Sequence, residues 1–363
     1  MGLTAPAICL AAEPSLKESF AGKFLIGAAL NEFQFTGQNT GAVAVIERQF
    51  NSITPENVMK WEKIHPEPDR FDFGPSDRYV KFGEEHGMFI IGHTLVWHSQ
   101  TPNWVFQDEK GNPLVRDMLL QRMSNHIHTV VGRYAGRIRG WDVVNEALND
   151  DGTLRDSPWR KIIGDDYLIK AFQFAHAADP SAELYYNDYS LENGPKRRGA
   201  MALIQKLQAA GVTVTGVGIQ GHDNLDWPSS EQEDAAISDF AKLGVKVMFT
   251  ELDVDVLPSA WRSGSADIAQ NFALQQRLNP YTNGLPETVQ AALSKRYAEL
   301  FAVCLKHRDV VERVTFWGVS DGDSWLNNWP VRGRTSYPLL FDRNHQPKPA
   351  FDAVIKVAQS TPF

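Results

Sequence analysis

The chain has 363 residues, 43% of them hydrophobic and 22% charged, an ordinary globular composition with ample material for a large core. The formal net charge is −8 and the isoelectric point about 5.7, with no basic cluster, which argues against nucleic acid or an anionic membrane as partner and fits a neutral substrate. Two distant cysteines, Cys9 and Cys304, supply neither a disulfide framework nor a metal-ligand spacing. In chain order, the first segment, GLTAPAICLAAEP, is short and apolar and ends in small residues, like a secretory hydrophobic region with its cleavage zone. No Lys or Arg precedes it. Residues 1–20 are therefore read as a signal-peptide remnant or a disordered N-terminus, with a secreted or periplasmic protein as the corollary. No later run approaches the ~18 apolar residues of a membrane span.

From Phe24 onward, short β-rich runs alternate with longer segments of helical spacing. The runs are FLIGAAL from 24, FNSIT from 50, MFIIGHTLVW from 88, IRGWDVVNEA from 138, AELYYNDYS from 182, VTGVGIQGH from 214, VKVMFTELDV from 245 and VERVTFWGVSD from 311. Between them lie helical stretches such as LLQRMSNHIHTVVGRYAG and RRGAMALIQKLQAAG, the latter stopped by Gly211. Cys304 falls in the helical pattern RYAELFAVCLKH and is read as core. Apolar strands alternating with helices predict a parallel sheet covered on both faces. Eight such units are the number that closes a (β/α)8 TIM barrel, so the expected fold is α/β, a single catalytic domain over residues 21–363. One connection, from Val256 to about Glu287, is long, and it is expected to wall one end of the cleft.

Each strand finishes in polar or aromatic residues that a core has no use for. Strand one ends at Asn31 and Glu32, and the second runs into Glu56, Asn57 and Lys60. The third gives His93, Trp97 and His98, the fourth Asn145 and Glu146, the fifth Asn187 and Asp188, and the sixth Gln220 and His222. Strand seven ends in Glu251 and Asp253, and strand eight in Trp317, Asp321 and Trp325. In such a barrel these C-terminal strand ends form the active site. Glu146 and Glu251 each follow a buried run, and ionised carboxylates beside a core are costly unless partnered or functional. On pattern alone, a catalytic pair and a pair of ion-paired loop anchors stand about even.

The surrounding residue types narrow the chemistry. His126 and His128 are two apart on a helix and cannot face the same way, and His93 with His222 lacks a clear third ligand, so no metal is expected. There is no G-x-S-x-G, and GVGIQG has the wrong spacing for a dinucleotide fingerprint. What remains is two carboxylates, several amides, and tryptophans that can stack on sugar rings, a composition suited to cleaving sugars.

TPENVMKW, GHTLVWHSQTPNW, WDVVNEA, YYNDYS, GVGIQGH, TELDV and WGVSDGDSW together resemble the signature segments of family 10 glycoside hydrolases, the endo-β-1,4-xylanases. They occur in family order over residues 24 to 358. The resemblance implies a (β/α)8 barrel hydrolysing xylan or xylo-oligosaccharides with retention of configuration, without a cofactor and as a monomer. It makes Glu146 the acid/base and Glu251 the nucleophile. It makes Asn145 the amide on the sugar 2-hydroxyl, and His222 and Asp253 the partners that hold the nucleophile ionised. His93, Trp97 and Gln220 fall around the sugar at the cleavage point. Glu56, Asn57, Lys60 and Gln100 fall on the next sugar, Trp317 and Trp325 cover the glycone side, and Asn187 and Tyr189 fall on the leaving-group side. Gly221 and the long loop after Asp255 depart from the family pattern and leave leaving-group preferences open. A retaining pair implies carboxyl groups ~5–5.5 Å apart. A β-1,4-glucanase, or a mixed enzyme, on the same fold is the nearest alternative, and a non-catalytic sugar-binding barrel a more distant one.

Overall fold

The computed structural model describes residues 15–259 and 272–360. Its centre is a sheet of nine parallel strands: β1 (Leu25–Leu30), β2 (Ser52–Pro55), β3 (Phe89–Trp97), β4 (Gly140–Asn145), β5 (Glu183–Asp188), β6 (Gly216–Ile219), β7 (His222–Asn224), β8 (Lys246–Asp255) and β9 (Val311–Phe316). Neighbours in sequence pair from β1 to β6, β6 pairs with β8, and β9 pairs back onto β1, so all but the short β7 close a barrel. The strands are buried on both faces along nearly their whole length, as their unbroken apolar runs require. Inside the barrel, space is filled by pairing large with absent side chains. A Cβ on Gly92 would lie 2.1 Å from the indole of Trp141, so the glycine is what lets that fully buried ring fit.

Strand six differs from its expected extent. The run from 214 divides at Gln220 and Gly221 into β6 and β7, because Gly221 takes a positive φ of 74° that a side chain rarely adopts. The break turns the chain onto β8, where β7 pairs in the register His222↔Asp253. The turn at Gly221 thus brings His222 beside Asp253.

The helices cover the barrel by the stripe their periodicity predicts. Helix Arg116–Arg133 buries Leu119, Met123, Ile127, Val130 and Val131, and His126 lies in that stripe while His128 faces solvent. Cys304 is fully buried on helix Glu287–Lys306. Among the described residues no helix is long and apolar enough to cross a membrane.

The expected boundary at residue 21 moves. Ser15 caps a short helix, Leu16–Ser19, and Leu16 and Phe20 are fully buried. Phe20 lies against Phe24 and Phe301, with ring centroids 4.9 and 5.1 Å away. The apolar contacts of this turn make it part of the barrel's base, so the folded unit begins by Ser15. Residues 1–14, which carry the whole leader-like run and Cys9, lie outside the described residues, as do residues 260–271 of the long connection. The described part of that connection is tied down where Asn279 Oδ1 accepts the Thr335 N–H at 2.9 Å and Tyr281 O the Tyr337 hydroxyl at 2.7 Å, and Ser259 borders the cleft.

Candidate active site

The C-terminal strand ends open into a cleft of 740 Å³ lined by, among others, Glu56, Asn57, Lys60, His93, Trp97, Gln100, Asn145, Glu146, Tyr189, Gln220, His222, Glu251, Trp317 and Trp325. Both glutamates reach it from nearly buried positions, Glu146 at 9% and Glu251 at 6% exposure. Local backbone aims each one. Glu146 follows β4 with φ 55°, in the left-handed region. Glu251 sits where the pairing of β8 with β9 shifts register between Phe249 and Leu252, a bulge that re-aims the side chain.

Each carboxylate is held at both oxygens. On Glu146, Oε2 accepts from Trp97 Nε1 at 2.9 Å and Oε1 from Gln220 Nε2 at 3.0 Å. On Glu251, Oε1 accepts from Asn187 Nδ2 at 2.8 Å and Oε2 from His222 Nε2 at 3.2 Å. The other nitrogen of His222 donates to Asp253 Oδ1 at 3.0 Å, and Asp253 Oδ2 accepts from Trp325 Nε1 at 2.7 Å. Asp253 therefore fixes both the imidazole and the indole. Burial alone would deprive His222 of its proton, but the charge and hydrogen bond of Asp253, with those of Glu251, raise it to about 10. An imidazolium has two donors and no acceptor, which suits the two carboxylates it faces. Burial alone would likewise push Glu251 up. The His222 hydrogen bond, the charges of His93 and His222, and the Asn187 amide outweigh it and hold Glu251 below the ordinary carboxylate range. The two glutamates are thus placed in different surroundings: one is held as an anion by a cation, the other is gripped by an indole and an amide.

Lys60, Gln100, Asn57 and Glu56 form one polar group in the cleft. Lys60 Nζ donates to Gln100 Oε1 at 2.9 Å and Asn57 Oδ1 at 3.1 Å, and stands 5.1 Å from the Trp97 ring centre. Burial lowers the Lys60 ammonium, opposed by Glu251, Glu56 and Glu146. Burial raises Glu56, opposed first by Lys60. Trp317 stands edge-on to His93 and His222, with centroids 5.6 and 6.3 Å away. His93 Nδ1 is paired with Asp142 Oδ2 at 2.9 Å.

Asn187 is a correction. It was expected on the leaving-group side, but it is fully buried and absent from the cleft wall. Its amide lies beneath the site, donating to Asn145 Oδ1 at 2.9 Å as well as to Glu251, and accepting from Thr250 Oγ1 at 2.6 Å. Asp253 also lies behind the cleft wall, acting through His222 and Trp325. Several strand-end residues are structural. Asn31 holds the N-cap position of helix Glu32–Phe35, where its backbone N–H donates to Gln34 Oε1 at 2.9 Å, Glu32 pairs with Arg78, and Asp188 and Asp321 pair with Lys196 and Lys348, both at 2.9 Å. His98 stands edge-on to Trp97, away from the cleft.

The structure adds residues that the strand-end pattern missed. Trp329 stacks on Trp325 with centroids 4.8 Å apart and planes 16° off parallel, and the spacing of four residues in SWLNNWP was an available signal. Asn224, at the end of β7, and Trp227, in the loop after it, line the cleft, and Asn224 Oδ1 accepts the Trp227 backbone N–H at 2.9 Å. Glu192 and Asp223 border it too, and Asp223 Oδ2 is paired at 2.8 Å with the buried Arg296. Among the described residues, no group of three or more His, Cys, Asp or Glu side chains could hold a metal ion.

Residues 15–357 match the model of the family described as Glycosyl hydrolase family 10. Over 345 residues the chain is 47% identical to an endo-1,4-beta-xylanase A of Xylanibacter ruminicola, covering 95% of this chain and 94% of the relative. It is 43% identical over 350 residues to an endo-1,4-beta-xylanase of Geobacillus stearothermophilus, with 95% and 98% covered. Among solved structures, a GH10 endoxylanase from a sugarcane soil metagenome superposes with a TM-score of 0.90 at 44% identity, covering 95% and 99% of the two chains. A Paenibacillus barcinonensis xylanase complexed with a conduramine derivative superposes with a TM-score of 0.86 at 40% identity, again covering 95% and 99%.

Proposed function

The chain belongs to glycosyl hydrolase family 10, and from that premise we propose that it is a retaining endo-β-1,4-xylanase in which Glu251 is the nucleophile and Glu146 the acid/base. In the first step a Glu251 oxygen bonds to the anomeric carbon as the glycosidic bond breaks. The bonding pair goes to the leaving oxygen, which takes the Glu146 proton. In the second step water attacks that carbon, gives its proton to Glu146, and releases the Glu251 carboxylate. Two inversions give net retention.

The observation that carries the assignment is the His222 contact. A nucleophile must be an anion, and of the two glutamates Glu251 is the one paired with an imidazolium that is itself held by a second carboxylate. Glu146, reached by the Trp97 and Gln220 donors, is suited to exchanging a proton with the leaving oxygen. Asn145 stands beside it, placed to bond a sugar 2-hydroxyl, a contact that strengthens in the oxocarbenium-like transition state. Lys60, Asn57, Glu56 and Gln100 supply hydroxyl partners for the next sugar, and Trp317, Trp325 and Trp329 apolar faces. Relatives named as xylanases support xylan over a plain glucan as substrate.

The role of Glu251 is tested with a 2-fluoro xylobioside carrying an activated leaving group. The expected outcome is a stable adduct on the peptide that contains Glu251. An adduct on the Glu146 peptide would reverse the roles. Action as a monomer and export, suggested by the leader-like run, complete the proposal. Sedimentation and N-terminal sequencing of the mature protein test them.

A further inference from the structure

Glu146 has to hold a left-handed backbone conformation that a side chain disfavours, and such a conformation persists only where its surroundings impose it. On its amino side the sheet imposes it, since Glu146 N–H donates to Asn187 O at 2.9 Å. On its carboxyl side the chain leaves the barrel through Ala147 and Leu148 and turns back at Leu154, which bridges to Leu148. The returning residue is Arg155. Its backbone N–H donates to Ala147 O at 2.8 Å. Its guanidinium donates from Nε to Glu146 O at 3.1 Å, and from Nη2 to Leu148 O at 3.2 Å and Tyr189 OH at 3.0 Å. One rigid planar fork thus holds the peptide that follows Glu146 and an aromatic ring of the cleft wall. Arg155 itself does not line the cleft.

We propose that Arg155 is a positioning residue for Glu146: by clamping the Glu146 and Leu148 carbonyls and the Tyr189 hydroxyl, it fixes the acid/base against the cleft wall where the leaving oxygen lies. This rests on the acid/base role of Glu146. It gives the loop 147–155 a function that no strand-end pattern reveals. Without the guanidinium, the peptide after Glu146 loses its restraint, and the carboxyl group can move away from the leaving oxygen while Glu251 stays in place.

The test separates loss of proton delivery from loss of fold. The quantity is kcat/KM, which reports formation of the glycosyl-enzyme, for phenyl and 2,4-dinitrophenyl β-xylobiosides. The first substrate needs a proton on its leaving oxygen and the second does not. In Arg155→Met the phenyl substrate is expected to lose about tenfold or more, part of the ~10²–10⁴-fold that general acid catalysis supplies. The dinitrophenyl substrate should stay near wild type. Arg155→Lys keeps the charge but not the fork, so the same split is expected at smaller size. Equal losses on both substrates, or a wild-type ratio in the folded Lys variant, overturn the inference. Glu146→Ala is measured alongside. If it shows the split and the Arg155 variants do not, only the Arg155 inference fails. If it shows none, the acid/base reading fails first.

Discussion

The side-chain amide of Asn187 donates to Glu251 at 2.8 Å while the residue is wholly shielded from solvent. The same nitrogen reaches Asn145 at 2.9 Å, so one buried amide joins the nucleophile to the residue beside the acid. A group in this position affects the reaction without touching substrate. Asn187→Leu should lower kcat on xylan about 10- to 100-fold, the loss of one hydrogen bond to a charged group, with KM near wild type. Steady-state kinetics check this. A raised KM with kcat unchanged would put the amide on the substrate instead.

The two carboxylates are separable by product stereochemistry. In Glu251→Gly, azide can attack the anomeric carbon directly, and the single inversion should yield an α-glycosyl azide from an activated xylobioside. In Glu146→Ala, the glycosyl-enzyme still forms on Glu251, azide opens it with a second inversion, and the β anomer is expected. Proton NMR of the products distinguishes them. Exchanged anomers mean exchanged roles.

His222 links the site to stability at alkaline pH. Its folded-state value of about 10 lies above the ~6.5 of an unfolded chain, so its ion pair stabilises fully below about pH 6.5 and is lost as pH rises towards 10. The melting temperature of the wild type should therefore fall across that window. The difference from His222→Gln should shrink over the same range. A constant difference between the two proteins from pH 6.5 to 10 would show that the imidazole is not protonated in the fold.

A second histidine has the opposite sign. His126 is fully buried, its ring stacks on Trp61 with centroids 3.6 Å apart, and its Nδ1 lies 3.1 Å from His65 Nδ1. Burial, then the proximity of His65, holds it well below the ordinary histidine value. The unfolded chain takes up a proton below about pH 6.5 that the folded chain refuses, so stability falls with acid by up to ~1.4 kcal/mol per pH unit. His126→Phe keeps a ring against Trp61 and should flatten the acid slope of the melting temperature between pH 6.5 and 5. An unchanged slope would assign the acid sensitivity to other groups.

The barrel was legible because its strands announce themselves. Parallel strands covered on both faces must be apolar throughout, and any polar residue at their ends needs a reason. That contrast picks out Glu146, Glu251, Asn145 and His222 without any neighbour in space. The same contrast misleads at Glu32, Asp188 and Asp321, where a cation elsewhere in the chain supplies the reason. The resemblance put Asn187 on the leaving-group side, and a position at a strand end does not say whether the side chain lies under its neighbours. Arg155 and Trp227 sit on loops, whose course depends on returning contacts and on turns such as the Asn224 cap, and strand periodicity carries no information there. The strand break at Gly221 could have been anticipated from the glycine, but its consequence, the His222–Asp253 register, needed β8.

The most direct measurement is the initial rate of hydrolysis of soluble xylan and of carboxymethyl cellulose, side by side, for the wild type and Glu251→Gln. The expected result is release from xylan alone, abolished in the variant, whose neutral amide can neither attack the anomeric carbon nor pair as an anion with His222. Comparable release from cellulose would contradict the assignment to xylan. Undiminished xylan hydrolysis by Glu251→Gln would contradict the nucleophile and the mechanism built on it.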